Sequence, residues 1–179
     1  MTFYSWSFEQ YDLPSVSITA LEISKDATKL IMGNSAGYIC IWDNNRGQPI
    51  QQNAGGVVQY DFGKTEDFKP MDTMEAHPNN YILKCKLSLN KKYLATCSSD
   101  RSCKIWLYNQ VEERFEAYQT LAGHHHWVWD CDFTVDCVYC LTVSTDTRIR
   151  IWKIDEAKVK KVINGHQKGI TSLAFKDMM

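Results

Sequence analysis

The chain has 179 residues, 44% of them hydrophobic, with 20 basic and 21 acidic side chains and a net charge of −1. That composition can supply a real core. The mixed charges leave no basic stripe for nucleic acid and no acidic disordered tail, and no apolar run approaches the ~20 residues of a membrane span.

Helix-period patterns are scarce, while alternating runs rich in Val, Ile, Thr and Tyr recur, so the expected class is all-β. The first fifteen residues are aromatic and polar, with Tyr4 to Phe8 as one edge strand. They lack the basic start and long apolar core of a signal peptide. Pro14 precedes the first unit, which spans residues 16–74. Its strands are Ser17 to Ile23, Lys29 to Met32 and Tyr38 to Trp42, with turns at Lys25-Asp26 and Asn34 to Gly37. Trp42-Asp43 is the one literal Trp-Asp dipeptide that closes a strand of this kind. Periodicity lapses over about 44–72, a length uncommon inside a compact domain. Val57 to Phe62 is the expected outer strand there, and the rest is an insertion and the best candidate for disorder.

The second unit, residues 75–121, has strands Tyr81 to Leu87, Tyr93 to Cys97, Ser102 to Trp106 and Phe115 to Leu121. The third, residues 122–163, has Trp127 to Phe133, Val138 to Val143, Arg148 to Trp152 and Lys158 to Ile163. Residues 164–179 add another Gly-His and one inner strand, Ile170 to Phe175. The strand-ending Trp106 and Trp152 lie 46 residues apart, and Trp42 and Trp106 lie 64 apart, longer by the insertion. His77 to His124 is 47 residues and His124 to His166 is 42. These spacings match the ~40–45-residue period of WD-type propeller blades. The expected fold is a partial WD-repeat β-propeller of about three four-stranded blades plus one extra inner strand.

His77, Thr96, Asp100 and Trp106 in the second blade fall at matching offsets to His124, Thr142, Asp146 and Trp152 in the third. In the propeller fold such a set forms a buried relay: the Asp accepts from the His ring, and the hydroxyl links that ring to the indole N–H. A His-Asp-Thr set also resembles a catalytic one. Its repetition argues for structure, because a scaffold repeats its packing while an active site occurs once. The first blade carries Met32 and Ala36 at the hydroxyl and Asp positions and has no preceding Gly-His. It is expected to rest on apolar packing alone and to be the softest.

Seven cysteines at irregular spacing form no disulfide framework, which fits a reducing cytosolic or nuclear setting, with the cytoplasm expected. Cys137 and Cys140, with His124 to His126 upstream, are the one candidate for zinc. In a strand, positions three apart point to opposite faces, which argues against it. The remaining cysteines read as small buried hydrophobes. No cofactor motif, phosphate-cradling loop or nucleophile elbow appears, so no enzyme is expected. Trp127 and Trp129 sit where the Gly-His loop enters the innermost strand, near the mouth of the channel. Trp127 is expected to bind a partner; Trp129 divides between that role and inter-blade core. Tyr81 occupies the position of Trp127 in the second blade.

The segments YILKC, LATCSSDRSCKIW, WVWDC and GHQK resemble the carboxy-terminal half of the G-protein-β-like subunit of the TOR kinase complexes. This family is also called "lethal with sec-thirteen". The resemblance extends from Pro14 to Asp177 apart from the insertion. It implies a non-catalytic subunit, a seven-bladed propeller that docks on and stabilises the carboxy-terminal lobe of the kinase domain beside its other subunits. In that family the pair matching Trp127 and Trp129 lies on the face that meets the kinase, and Tyr81 is carried over more weakly. A generic WD-repeat adaptor is the alternative within this class, and an enzyme or zinc protein the alternative outside it. Three blades fall short of the ~4–8 that close a ring. The expectation is an incomplete gene model or fragment, with self-association of two copies through open blade edges as the alternative.

Overall fold

The computed structural model describes residues 17–26, 28–43, 49–52, 58–60, 72–112 and 114–175. Three four-stranded antiparallel sheets follow one another along the chain. The first joins β1 (Ile18–Ile23), β2 (Lys29–Asn34), β3 (Tyr38–Asp43) and β6 (Asp72–Glu75). The second joins β7 (Ile82–Leu87), β8 (Tyr93–Ser98), β9 (Ser102–Asn109) and β10 (Arg114–Ala122). The third joins β11 (Val128–Phe133), β12 (Tyr139–Ser144), β13 (Ile149–Lys153) and β14 (Lys158–Ile163). β4 (Pro49–Gln52) and β5 (Val58–Tyr60) pair as a separate hairpin. The all-β, open-propeller expectation is met.

Two expectations change. The outer strand of the first blade is β6, not Val57 to Phe62: Ile39 pairs with Met74, while Val58 to Tyr60 pair with β4. Residues 170–175 form no ladder. Their backbone is instead tied by Ile170 N–H to the Ser144 carbonyl (3.1 Å) and Leu173 N–H to the Asp130 carboxylate (2.9 Å). A segment becomes a strand only when a neighbour offers its backbone groups in register, and no such neighbour lies beside it among the described residues. The edge strand expected over Tyr4 to Phe8, and most of the insertion, lie outside those residues.

The inter-blade cores explain the spacing of apolar residues. β8 is buried along its whole length. Leu94 packs with Ile31, Ile39, Ile82 and Trp106 between the first and second blades. Tyr93, Ala95 and Cys97, on the other face of β8, pack with Val128, Cys131, Phe133 and Trp152 between the second and third. Alternate residues of one strand thus serve two interfaces. Each fully buried Leu or Ile contributes roughly 1.5–3 kcal/mol.

The inner strands carry a second, polar tie around the axis. Lys84 lies 3.6 Å from Asp130, and Lys86 lies 3.8 Å from Glu22 and 3.9 Å from Asp132. A basic β7 is thus flanked by acidic residues of β1 and β11. Turns at one end repeat a shared design. Ser24, Ser88 and Thr134 each accept the N–H five residues on, at 2.9, 2.9 and 3.1 Å. Asp26, Asn90 and Asp136 each accept the N–H two residues on, at 3.4, 3.0 and 3.0 Å. These side chains close the turn that the backbone alone leaves open.

Candidate partner-binding face and its support

At the opposite end of the blades, the predicted relay forms in both places. The His77 ring meets Asp100 at 2.7 Å through Nδ1 and the Thr96 hydroxyl at 2.8 Å through Nε2; Trp106 Nε1 donates to the same hydroxyl at 3.0 Å. In the third blade the corresponding distances are 2.9 Å for His124–Asp146, 2.7 Å for His124–Thr142 and 2.8 Å for Trp152–Thr142. One proton assignment satisfies the His77 relay: the ring gives its Nδ1 proton to the Asp100 carboxylate, the Thr96 hydroxyl donates to Nε2, and the hydroxyl oxygen accepts from the indole. In the third blade Arg150 Nη1 also lies 2.5 Å from His124 Nδ1, so guanidinium and carboxylate meet at the same ring nitrogen.

The two relays differ in how they settle the carboxylate charge. Asp100 accepts from the Ser102 N–H (2.8 Å) and hydroxyl (2.7 Å). Burial raises its pKa, but the His77 and Ser102 hydrogen bonds outweigh burial and hold it at about 2. Asp146 instead pairs with Arg150 Nη1 at 2.7 Å, both side chains being almost fully buried. Burial pushes Asp146 up, and the Arg150 and His124 hydrogen bonds more than reverse that, leaving it well below the usual carboxylate range. Burial pushes His124 down, and the charge of Arg150 adds to this against the pull of Asp146. The fold therefore favours the neutral His124 ring, and Arg150 is the counter-ion of Asp146. Arg150 was missed in the sequence. Its signal was an arginine two residues before the strand-ending Trp152, where the second blade has Lys104, whose ammonium goes to the Ala76 carbonyl at 2.7 Å.

The first blade does not rest on apolar packing alone. Asn34 Oδ1 accepts from both Ala36 N–H and Tyr38 N–H at 3.0 Å. Elsewhere these duties are shared by two side chains, Ser98 to Asp100 N–H (3.1 Å) and Asp100 to Ser102 N–H. One asparagine thus replaces a Ser and an Asp. Gly37 follows at φ 92°, and its carbonyl accepts from Ala76 and His77 N–H at 2.8 and 2.9 Å. A Cβ there would lie 1.7 Å from the His77 carbonyl oxygen, so only glycine allows this approach.

The three predicted partner-binding residues come together at this end. Tyr81 and Trp127 are 48% and 43% exposed, unusually open for rings of this size. Their centroids are 6.3 Å apart, and those of Trp127 and Trp129 are 5.6 Å apart, so the rings form one surface across two blades. Trp129 is half-buried and donates Nε1–H to Thr145 Oγ1 at 2.7 Å. It belongs to the surface and is also braced from below. A β-bulge places it: Val128 pairs with Ser144 but Asp130 with Val143, leaving Trp129 as the extra residue. The same break falls at Leu83 in β7 and Thr19 in β1. Bulges re-aim side chains in this way, and nothing but the repeat itself signals them in the residues.

Cys137 and Cys140 make no joint site with the histidines. Cys137 lies in the turn before β12 at φ 56°, at the other end of β11 from the Gly-His loop. The cysteines that do converge are Cys97, Cys103 and Cys131, whose sulfur atoms all lie within 4.8 Å of one another. They are close enough to share a metal ion. Their surroundings, however, are the packed apolar core of Ile105, Leu121 and Val128, and burial holds the Cys97 thiol well above its ordinary value. Small buried hydrophobes describe them well. No helix among the described residues is long and apolar enough to cross a membrane.

Comparison with known proteins agrees with this architecture. The family described as "WD domain, G-beta repeat" matches residues 68–106 and 115–153. The chain is 32% identical over 168 residues to "Target of rapamycin complex subunit LST8" of Bos taurus, covering 92% of this chain and 47% of that protein. It is 36% identical over 120 residues to "Non-functional target of rapamycin complex subunit LST8-2" of Arabidopsis thaliana, covering 66% of this chain and 32% of that protein. The chain therefore spans less than half the length of each. Among solved structures, the RRP9 WD40 repeats align with a TM-score of 0.66 at 17% identity over 88% of this chain and 41% of that one, a likeness of fold alone.

Proposed function

The chain is an LST8-like WD-repeat protein, and on that premise we propose that it is a non-catalytic scaffold of a TOR complex whose Tyr81–Trp127–Trp129 face binds and stabilises the kinase domain. The observation that carries this reading is the exposed aromatic surface spanning two blades, held over two internally satisfied relays. Aromatic side chains on a preorganised support are favoured interface anchors. The same geometry speaks against catalysis by the His-Asp-Thr sets. Both ring nitrogens of His77 and His124 are already engaged, and Thr96 and Thr142 are fully buried. A general base needs a proton within reach that belongs to a substrate, and none could approach. The proposed setting is the cytoplasm, where the other TOR-complex subunits are the further partners.

Binding of a purified TOR kinase domain to the full chain tests the reading. Trp127→Ala is expected to weaken it at unchanged melting temperature. Undiminished binding by a folded Trp127→Ala/Trp129→Ala variant would place the contact elsewhere.

A further inference from the structure

The charges around the aromatic surface say more about what docks there. Resting on the reading that Tyr81, Trp127 and Trp129 form a binding face, we propose that the partner presents an acidic segment carrying an aromatic or aliphatic side chain.

Three loops frame the rings, and each ends in an exposed cation: Arg101, Arg148 and Lys168. The loops are tied to the aromatic residues. Tyr81 exchanges hydrogen bonds with Ser99, its N–H to the hydroxyl at 2.9 Å and its carbonyl from the Ser99 N–H at 3.0 Å, which places the Arg101 turn beside it. The Trp127 carbonyl accepts from Thr145 N–H at 3.2 Å, which does the same for the Arg148 turn. Gly169 brings the Lys168 loop against that turn; a Cβ there would lie 2.9 Å from Thr145 Cγ2. None of the three cations makes an ion pair among the described residues.

The acidic residues of the same loops do not offset them. Asp100 and Asp146 turn inward to the relays, their side chains 24% and 4% exposed. The relay therefore does two things at once: it fixes the turn and withdraws the negative charge from the surface. At the far end of the blades the turns carry both signs, with Lys91 paired to Asp26 and Asp136 exposed. The aromatic end of the described blades thus exposes cations while the acidic side chains of the same two turns face inward. Complementary charge around an apolar anchor steers encounter and rejects like-charged partners.

Nucleic acid also favours cations with aromatic rings. Three cations on separate loops, without a continuous basic groove, favour an acidic protein segment over a phosphate backbone.

The test uses the full chain and tryptophan fluorescence. A synthetic peptide alternating glutamate and phenylalanine is compared with lysine–phenylalanine and glutamate–serine counterparts, and with an oligouridine. The glutamate–phenylalanine peptide is expected to bind alone. Its affinity should fall with added salt and fall about tenfold in the Arg101→Glu/Arg148→Glu variant. Equal binding of the lysine peptide, salt-independent binding, preference for oligouridine, or no peptide binding would each overturn the proposal. The TOR kinase domain runs as a separate arm. Peptide selectivity without kinase binding refutes the kinase as partner and keeps the acidic-segment inference; kinase binding indifferent to the double reversal does the opposite.

Discussion

Thr142 is the residue on which the third blade's polar interior depends, because its single oxygen serves both His124 and Trp152. Thr142→Val keeps the shape and strands two buried partners. It is expected to cost about 1–3 kcal/mol in urea unfolding; a loss within error would show that the relay is incidental. Protonation follows from the same geometry. Asp100 has a folded pKa of about 2, below its ordinary 3.8. Its stabilising contribution is complete above the ordinary value and is lost as pH falls through the folded one. His124 is also depressed, from an ordinary 6.5, by burial and by Arg150 against the pull of Asp146. The fold favours its neutral ring, so acidification below that ordinary value costs stability. An NMR titration should find its midpoint below the ordinary histidine range; one at or above it would contradict Arg150 as the counter-ion. At this scale the sequence was informative wherever a residue repeats. Arg150 and Asn34 occur once each at their positions, so no repeat pointed to them.

Strands with apolar alternation and paired turns were readable in order, because each side of a blade must bury every second residue. The outer strand β6 was not, since four residues, Asp72–Glu75, carry too little pattern to stand out from an insertion. Nor were the bulges, which leave composition unchanged and shift only the pairing register. The first blade illustrates a replacement at the level of the element. It lacks the relay but keeps the Ser24–Asp26 turn and gains the Asn34 bridge. Two expectations follow. Native-state hydrogen exchange should be faster in β2 and β3 than in β8 and β12, and equal protection would remove the softness assigned to this blade. Asn34→Ala should speed exchange in β3 further while leaving β12 unchanged, at a cost of about 1 kcal/mol.

At the scale of the molecule, one construction gives both rigidity and a surface. Apolar residues on both faces of β8 join three blades, ion pairs tie their inner strands, and the relays hold the loops from which the aromatic rings emerge. The resemblance legible in YILKC, WVWDC and GHQK reached the family, while the joining of Tyr81 to the tryptophan pair needed the two blades side by side. The central claim is that this face is where the kinase domain docks. Calorimetric titration of a TOR kinase domain into the full chain and its Trp127→Ala variant tests it most directly. The account predicts a loss of at least about 2 kcal/mol in binding, with the melting temperature unchanged. Wild-type affinity in the folded variant would contradict it.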